Sequence, residues 1–254
     1  PAGSVARVLD EREVLAQARA MEDGLADDGS DAARRSVLAD WMARQGLVEE
    51  AVDQLERALR ADPDQAMARD VIASLSPRLG VRAPAEPAEL LRALSRSGPV
   101  GRELLALDAL RGLDADGRAP LDLRSALAAE LVSHSHRTRE AAAFALRRLF
   151  PGEAMGVESV KRLITRSVLD GSETVRAEAS RALRDARDEA VAGPAVRALA
   201  SANSAVRENS IEALGVMGYP AAVPALANHR AVLNAAAQSS SAPSGNPRGS
   251  IFIG

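Results

Sequence analysis

The chain has 254 residues, 46% apolar but only 2% aromatic, and a net charge of −3. That balance provides no global field for nucleic acid or an anionic membrane surface. The absence of Cys excludes disulfides, thiol nucleophiles and thiolate metal sites, and no apolar run reaches the ~18 residues of a spanning helix. Cores must be built from Ala, Leu, Val and Ile. Lys161 is the single lysine. The chain starts at Pro1 with no signal-peptide pattern, so it reads as a segment of something longer and its compartment stays open.

Residues 1–31 read as a leading helix and loop. Ser4 can cap a helix over 4–23 in which Val5, Val8, Leu9, Leu15 and Ala18 recur near helical spacing. The run from Asp27 to Asp31 breaks it. A helix pair follows: 32–44 with Val37, Leu38, Trp41 and Met42 inward, a turn at Gly46, then 48–60 with Ala51, Leu55, Ala58 and Leu59 inward. A third helix, 65–75, is expected to cap the pair, giving a segment over 32–76. Three prolines and a glycine between Ser76 and Pro87 read as a connection, and 77–96 is assigned to it together with a short helix.

A phrase then recurs over 97–234. Thr138-Arg139 leads to Leu146, Val175-Arg176 to Leu183 and Val206-Arg207 to Leu214, each Leu eight residues on from the first residue of its phrase. Ser135, Ser172 and Asn203 precede the three phrases as N-cap types. Helix pairs are expected at 99–113 with 121–132, 136–149 with 154–169, 173–185 with 190–200, and 204–217 with 221–233. Repetition at this interval marks stacked helical units, none of which buries its apolar face alone. The predicted fold class is all-α, a right-handed α-solenoid of antiparallel helix pairs. From 235 to 254 the Ser/Pro/Gly-rich composition predicts a flexible linker, ending in the apolar stub Ile251-Phe252-Ile253-Gly254.

Residues 32–65 resemble a tetratricopeptide repeat, through Gly46, Ala51, Leu55, Ala58 and Pro63, with Arg35 and Ala39 at the family's Trp and Gly positions. The later units resemble HEAT repeats, in particular the short bacterial kind related to bilin-lyase repeats. The best of them carries Val206-Arg207, Ala213-Leu214-Gly215 and Met217-Gly218. In that family an Asp before the first helix often pairs with the Arg of a neighbouring unit. Here the position holds Ser133, Asp170 and Ser201, which predicts a broken ladder. The repeated arginines are expected to make structural contacts between units.

No motif assembles a catalytic, cofactor-binding or metal site. His134-Ser135-His136 reads as a helix start with no third ligand. His229 sits late in the last helix, where a positive charge would suit the helix dipole. In Asp114-Ala115-Asp116-Gly117 the calcium-loop register fails, because Gly112 and Leu123 would fall at ligand positions. There is no phosphate cradle and no nucleophile elbow. Glu158 and Arg162 have the spacing of an ordinary i,i+4 surface pair.

The resemblance implies a non-catalytic scaffold that binds a protein or peptide on the concave face. Lys161, Arg162, Arg166, Arg197 and Arg230 are the candidate partner-binding residues, opposite an inward stripe of Val157, Val160, Ile164 and Val168. Three alternatives stand beside it: a spacer or targeting segment of a larger protein, a HEAT-like DNA-binding glycosylase, and a bilin-handling enzyme. Net charge and the placement of Trp41 argue against the second, and the missing ligand constellation against the third.

Overall fold

The computed structural model describes residues 11–25, 30–112 and 121–240. Among these every regular element is a helix or a short 3-10 turn, and the fold is all-α. Residues 1–10, the break at 26–29, the Asp114–Gly117 turn and the stub at 251–254 lie outside the described residues. The chain divides into two compact units, one up to Met155 and one from Gly156.

The first unit opens with α1 (Glu11–Glu22), α2 (Ala32–Arg44), α3 (Val48–Ala61) and α4 (Ala66–Leu79). α2 and α3 form a hairpin that turns at Gly46, whose φ of +87° suits a residue without Cβ. Leu38, Met42, Leu55 and Leu59 fill the hairpin, and fully buried Ala39, Ala51 and Ala58 let its helices approach closely. Val37, expected inward, is 51% exposed. The buried stripe of α2 is instead Arg35, Leu38, Ala39, Met42 and Ala43, rotated round the helix from Val37. Arg35 reaches inward because Gln54 Oε1 of α3 accepts from its Nη1 at 2.9 Å.

α4 runs on through Pro77 to Leu79, past its expected end at Leu75. Proline removes one backbone donor there. Against that loss, Leu75 is buried and Leu79 packs on the same core, one helical turn apart. Arg78 also donates to the Ala43 carbonyl at the end of α2, at 3.1 Å. Gly80, at φ +61°, then closes the helix.

α5 (Pro87–Arg96), α6 (Pro99–Arg111), α7 (Leu121–Glu130) and α8 (His136–Leu149) complete this unit. Val100 and Leu104 of α6 belong to the core of α2–α4, so that core continues past the Pro-rich stretch. The expected pairing of α6 with α7 gives way to a different one. α6 packs chiefly on α3, α4, α5 and α8, whereas α7 packs on α5 and α8. The start of α6 is held from another helix: Glu56 of α3 accepts the Val100 N–H at 3.1 Å. In α8 the residues from Ala141 to Leu146 are all buried, so this helix is enclosed by neighbours rather than amphipathic.

The second unit contains α9 (Val157–Leu169), α10 (Glu173–Asp185), α11 (Ala192–Ala198), α12 (Ser204–Met217) and α13 (Val223–Ser240). Short 3-10 turns, Glu189–Val191 and Pro220–Ala222, lead into α11 and α13. The two helices bearing the repeated phrase, α10 and α12, pack together. α9 packs on both, and α11 packs on α12 and α9. Val175, Ala179, Ala182 and Leu183 of α10, and Ser210, Ala213, Leu214 and Met217 of α12, form the buried faces. α13 continues to Ser240, so residues 235–240 are helical where a linker is expected.

Candidate protein-interaction surface

The recurring arginines set the geometry of the units. Each folds back onto the turn before its own helix, six residues upstream. Arg139 Nη1 donates to the Ser133 carbonyl at 2.8 Å, Arg176 Nη1 to Asp170 at 3.1 Å and Arg207 Nη1 to Ser201 at 2.7 Å. Arg139 and Arg207 also bind the next carbonyl, of His134 and Ala202. The sequence points to contacts between units; the bond these arginines share lies within a unit. Arg176 does both, since its Nη2 reaches Glu212 Oε2 of the next unit at 3.2 Å.

The residue that offers the carbonyl shapes the same turn with its side chain. Asp170 Oδ1 accepts the Ser172 N–H at 3.0 Å, and Ser201 Oγ accepts the Asn203 N–H at 3.2 Å. Serine thereby substitutes for aspartate in the turn, though it cannot pair with a cation. Ser135, Ser172 and Asn203 all occupy the N-cap position with extended backbone. Ser135 accepts from Thr138, and Asn203 from Ala205 and Val206; the Ser172 hydroxyl instead lies against that of Thr174, at 3.1 Å. His134 and His136 flank the first of these caps and are exposed. Among the described residues no cluster of His, Asp or Glu could hold a metal ion.

Polar bonds also cross from one unit to the next. Asn209 of α12 donates to the Val168 carbonyl of α9 at 2.8 Å, and the Tyr219 hydroxyl donates to the Leu183 carbonyl of α10 at 2.7 Å. The first satisfies a carbonyl in the last turn of α9, and the second adds to the Leu183 carbonyl, which also takes the Ala186 N–H at 3.2 Å.

On this frame α9 and α11 carry four of the five candidate cations. Lys161 and Arg197 are exposed, with no ion pair among the described residues. Arg162 accepts restraint from Glu158, whose Oε1 lies 2.8 Å from its Nε. Arg166 is different: its Nη1 lies 3.4 Å from Asp170 Oδ2, a carboxylate fully shielded from solvent. It braces the turn into α10. Arg230 is exposed on α13, whose main packing is against its own leading 3-10 turn, so it stands apart from the other four.

The face these cations occupy is not the one expected. The buried residues of α9 are Ser159, Leu163, Ser167 and Val168, while Val157, assigned inward, is 72% exposed. Val157, Lys161, Thr165 and Leu169 form one exposed i,i+4 row, with Leu169 60% exposed. Val157 fits a helical period with Val160, Ile164 and Val168, which is why the sequence places it inward. The absolute burial of two serines on the opposite side was the missing signal, and burial of serine does not show in hydropathy.

The family of HEAT repeats matches residues 160–240. No curated protein matches the chain. The matched stretch runs from Val160 of α9 through α13, and these helices are HEAT-like. No helix among the described residues is long and apolar enough to cross a membrane.

The two helical layers of these HEAT-like units differ in charge. Across α9, α11 and α13 the basic residues are the five candidates, and Glu158 is the single carboxylate within the three helices. Across α10 and α12 the exposed charged residues are Glu173, Glu208 and Glu212, all acidic. Every arginine of α10 and α12 is partly buried and engaged. Arg181 pairs with Glu178, Arg184 with Asp185, Arg176 with Glu212, and Arg207 with its two carbonyls. The second-helix layer therefore presents cations outward, and the first-helix layer presents carboxylates.

Proposed function

We propose that this protein is a non-catalytic interaction scaffold whose HEAT-like second helices bind a protein or peptide carrying carboxylates. The observation that carries this reading is the exposed row on α9, where Lys161 lies between Val157 and Leu169, with Arg197 exposed on α11, a helix that packs against α9. An apolar anchor next to desolvatable cations is the usual composition of a binding spot, since the apolar contact contributes affinity and the charge selects the partner. A helical scaffold is rigid before it binds, so little ordering opposes association. Arg162 and Arg197 add planar donors for carboxylates, while Arg166 serves the fold more than the partner. The α2–α3 hairpin, with its tetratricopeptide-like turn and small-residue crossing, would be a second helical element of the same scaffold.

The test is affinity capture from a nuclease-treated native extract with wild-type protein and a Lys161→Glu/Arg197→Glu variant. These two positions leave the Arg166–Asp170 brace intact. A protein retained by wild type and reduced at least tenfold by the variant is the expected result, with unchanged thermal unfolding. Equal retention on both would overturn the reading, and recovery of nucleic acid in an untreated extract would replace it.

A further inference from the structure

The first-helix layer of the same unit carries a groove of about 440 Å³ between α10 and α12. That is within the range of roughly 300–1,000 Å³ for clefts that enclose small ligands. Ala177 and Ser180 of α10 and Ala213, Gly215 and Val216 of α12 line it. The Ser180 hydroxyl donates back to the Arg176 carbonyl at 2.8 Å, so this lining behaves as an apolar surface.

Gly215 explains why the space is open. It lies inside α12, one residue after the repeated Leu, where the preceding unit carries Arg184. A Cβ on Gly215 would meet nothing within 4 Å, and its backbone is not left-handed. Neither packing nor conformation requires glycine, which weakens a helix interior. What the missing side chain does is leave the groove unfilled.

The rim is acidic. Arg176 is held at one end by Glu212 and by the Asp170 carbonyl, so its charge is already matched. Glu173 has no cation within ion-pair distance among the described residues, and Glu212 stays more than half exposed. With Glu208 these are the exposed charges of both helices, and no exposed arginine offsets them.

We propose that this groove docks a basic segment of a partner protein, seating one medium-sized apolar side chain over Ala177 and Gly215 while an adjacent Lys or Arg meets Glu173, the rim carboxylate that Arg176 does not already neutralise. The site is separate in place and in charge from the cationic second-helix layer. Together the two would let one unit hold two partners of opposite charge.

The probes are two amidated, acetylated peptides that alternate Leu with Lys or Leu with Glu. They are titrated into the ¹⁵N-labelled full chain, into Gly215→Leu and into Glu173→Lys. Wild type should bind the Lys peptide with amide shifts at Ala177, Gly215 and Val216, and bind the Glu peptide at least tenfold more weakly there. Both variants should weaken the Lys peptide at least tenfold. Gly215→Ala, which adds a Cβ in open space without filling the groove, should retain it and report any fold effect. Equal affinity for both peptides at these amides overturns the proposal. So does undiminished binding by Gly215→Leu, or concentration-dependent shifts at the same amides without peptide, which would give the groove to a second copy. Loss of carboxylate binding at Lys161 and Arg197 would leave this result untouched.

Discussion

Arg207 uses one guanidinium nitrogen to hold two carbonyls, of Ser201 and Ala202, at 2.7 and 2.9 Å. A bond from a charged donor is worth roughly 1.5–3 kcal/mol, and removing it leaves the acceptors to water or unpaired. Because the turn is partly open to solvent, Arg207→Ala should cost toward the lower end, about 1.5 kcal/mol, read as a lower urea midpoint at unchanged slope. Arg207→Lys should recover part of it, since a single ammonium can reach one carbonyl but lacks the rigid fork. If alanine proves neutral, the recurrence of this residue at 139, 176 and 207 needs another reason.

At the scale of the helix, similar sequence does not imply similar capping. Asn203 Oδ1 accepts two backbone N–H groups of α12, at 2.9 and 3.4 Å, whereas Ser172 at the same place in its unit makes no bond to the backbone of α10. Replacing a bonded N-cap by Ala costs about 1 kcal/mol. Asn203→Ala should therefore lower stability by about that amount, and Ser172→Ala by less than about half of it, measured by paired denaturant titrations. Equal losses would show that the extended backbone at this position, rather than the side-chain bond, does the capping. The α4 helix makes a related point. Pro77 is a stop signal, yet buried Leu75 and core-packed Leu79 carry the helix through it until Gly80 supplies the left-handed turn.

At the scale of the molecule, the first unit is tied together by charge as well as by hydrocarbon. Glu103 of α6 is almost fully buried, with Arg69 of α4 at 3.2 Å and Arg148 of α8 at 2.9 Å. Asp64, in the turn after α3, takes Arg147 of α8 at 3.0 Å and Arg69 at 3.4 Å. Arg102 of α6 also pairs with Glu140 of α8. Three stretches distant in sequence, 64–69, 103 and 147–148, thus share one ionic cluster. Breaking a buried pair by removing one partner costs about 3–5 kcal/mol, because it strands the other charge, while exchanging the pair for apolar residues can be neutral. Glu103→Ala should lower the unfolding free energy by about that range, and Glu103→Leu/Arg69→Met/Arg148→Met, which removes both paired cations as well, should lose clearly less, by calorimetry of both variants. A loss under about 1 kcal/mol for Glu103→Ala would mean that water reaches the cluster.

Read alone, the sequence yields the all-α class, places α2, α3, α8, α10 and α12 nearly to the residue, and marks the N-cap positions 135, 172 and 203, though the Ser172 side chain makes no bond to the backbone of its helix. These depend on helical period, breakers and N-cap chemistry, which are local and act within a turn or two of chain. Tertiary structure alone decided what depends on which neighbour arrives. It put Val37 and Val157 outside and serines 159 and 167 inside, carried α4 through Pro77, and packed α7 on α5 and α8 rather than with α6. It gathered Asp64 and Arg69, Glu103, and Arg147 and Arg148 from three distant stretches, whose separation in the chain gives no sign of contact. For the candidate surface, the cations at 161, 162, 166, 197 and 230 were legible as residues on the second helices. That Arg166 is spent on Asp170, that Val157 and Leu169 flank Lys161, and that the opposite layer is acidic around an unfilled groove are facts of packing. Hydropathy assigns each residue an average preference, whereas burial is settled by the side chains that surround it.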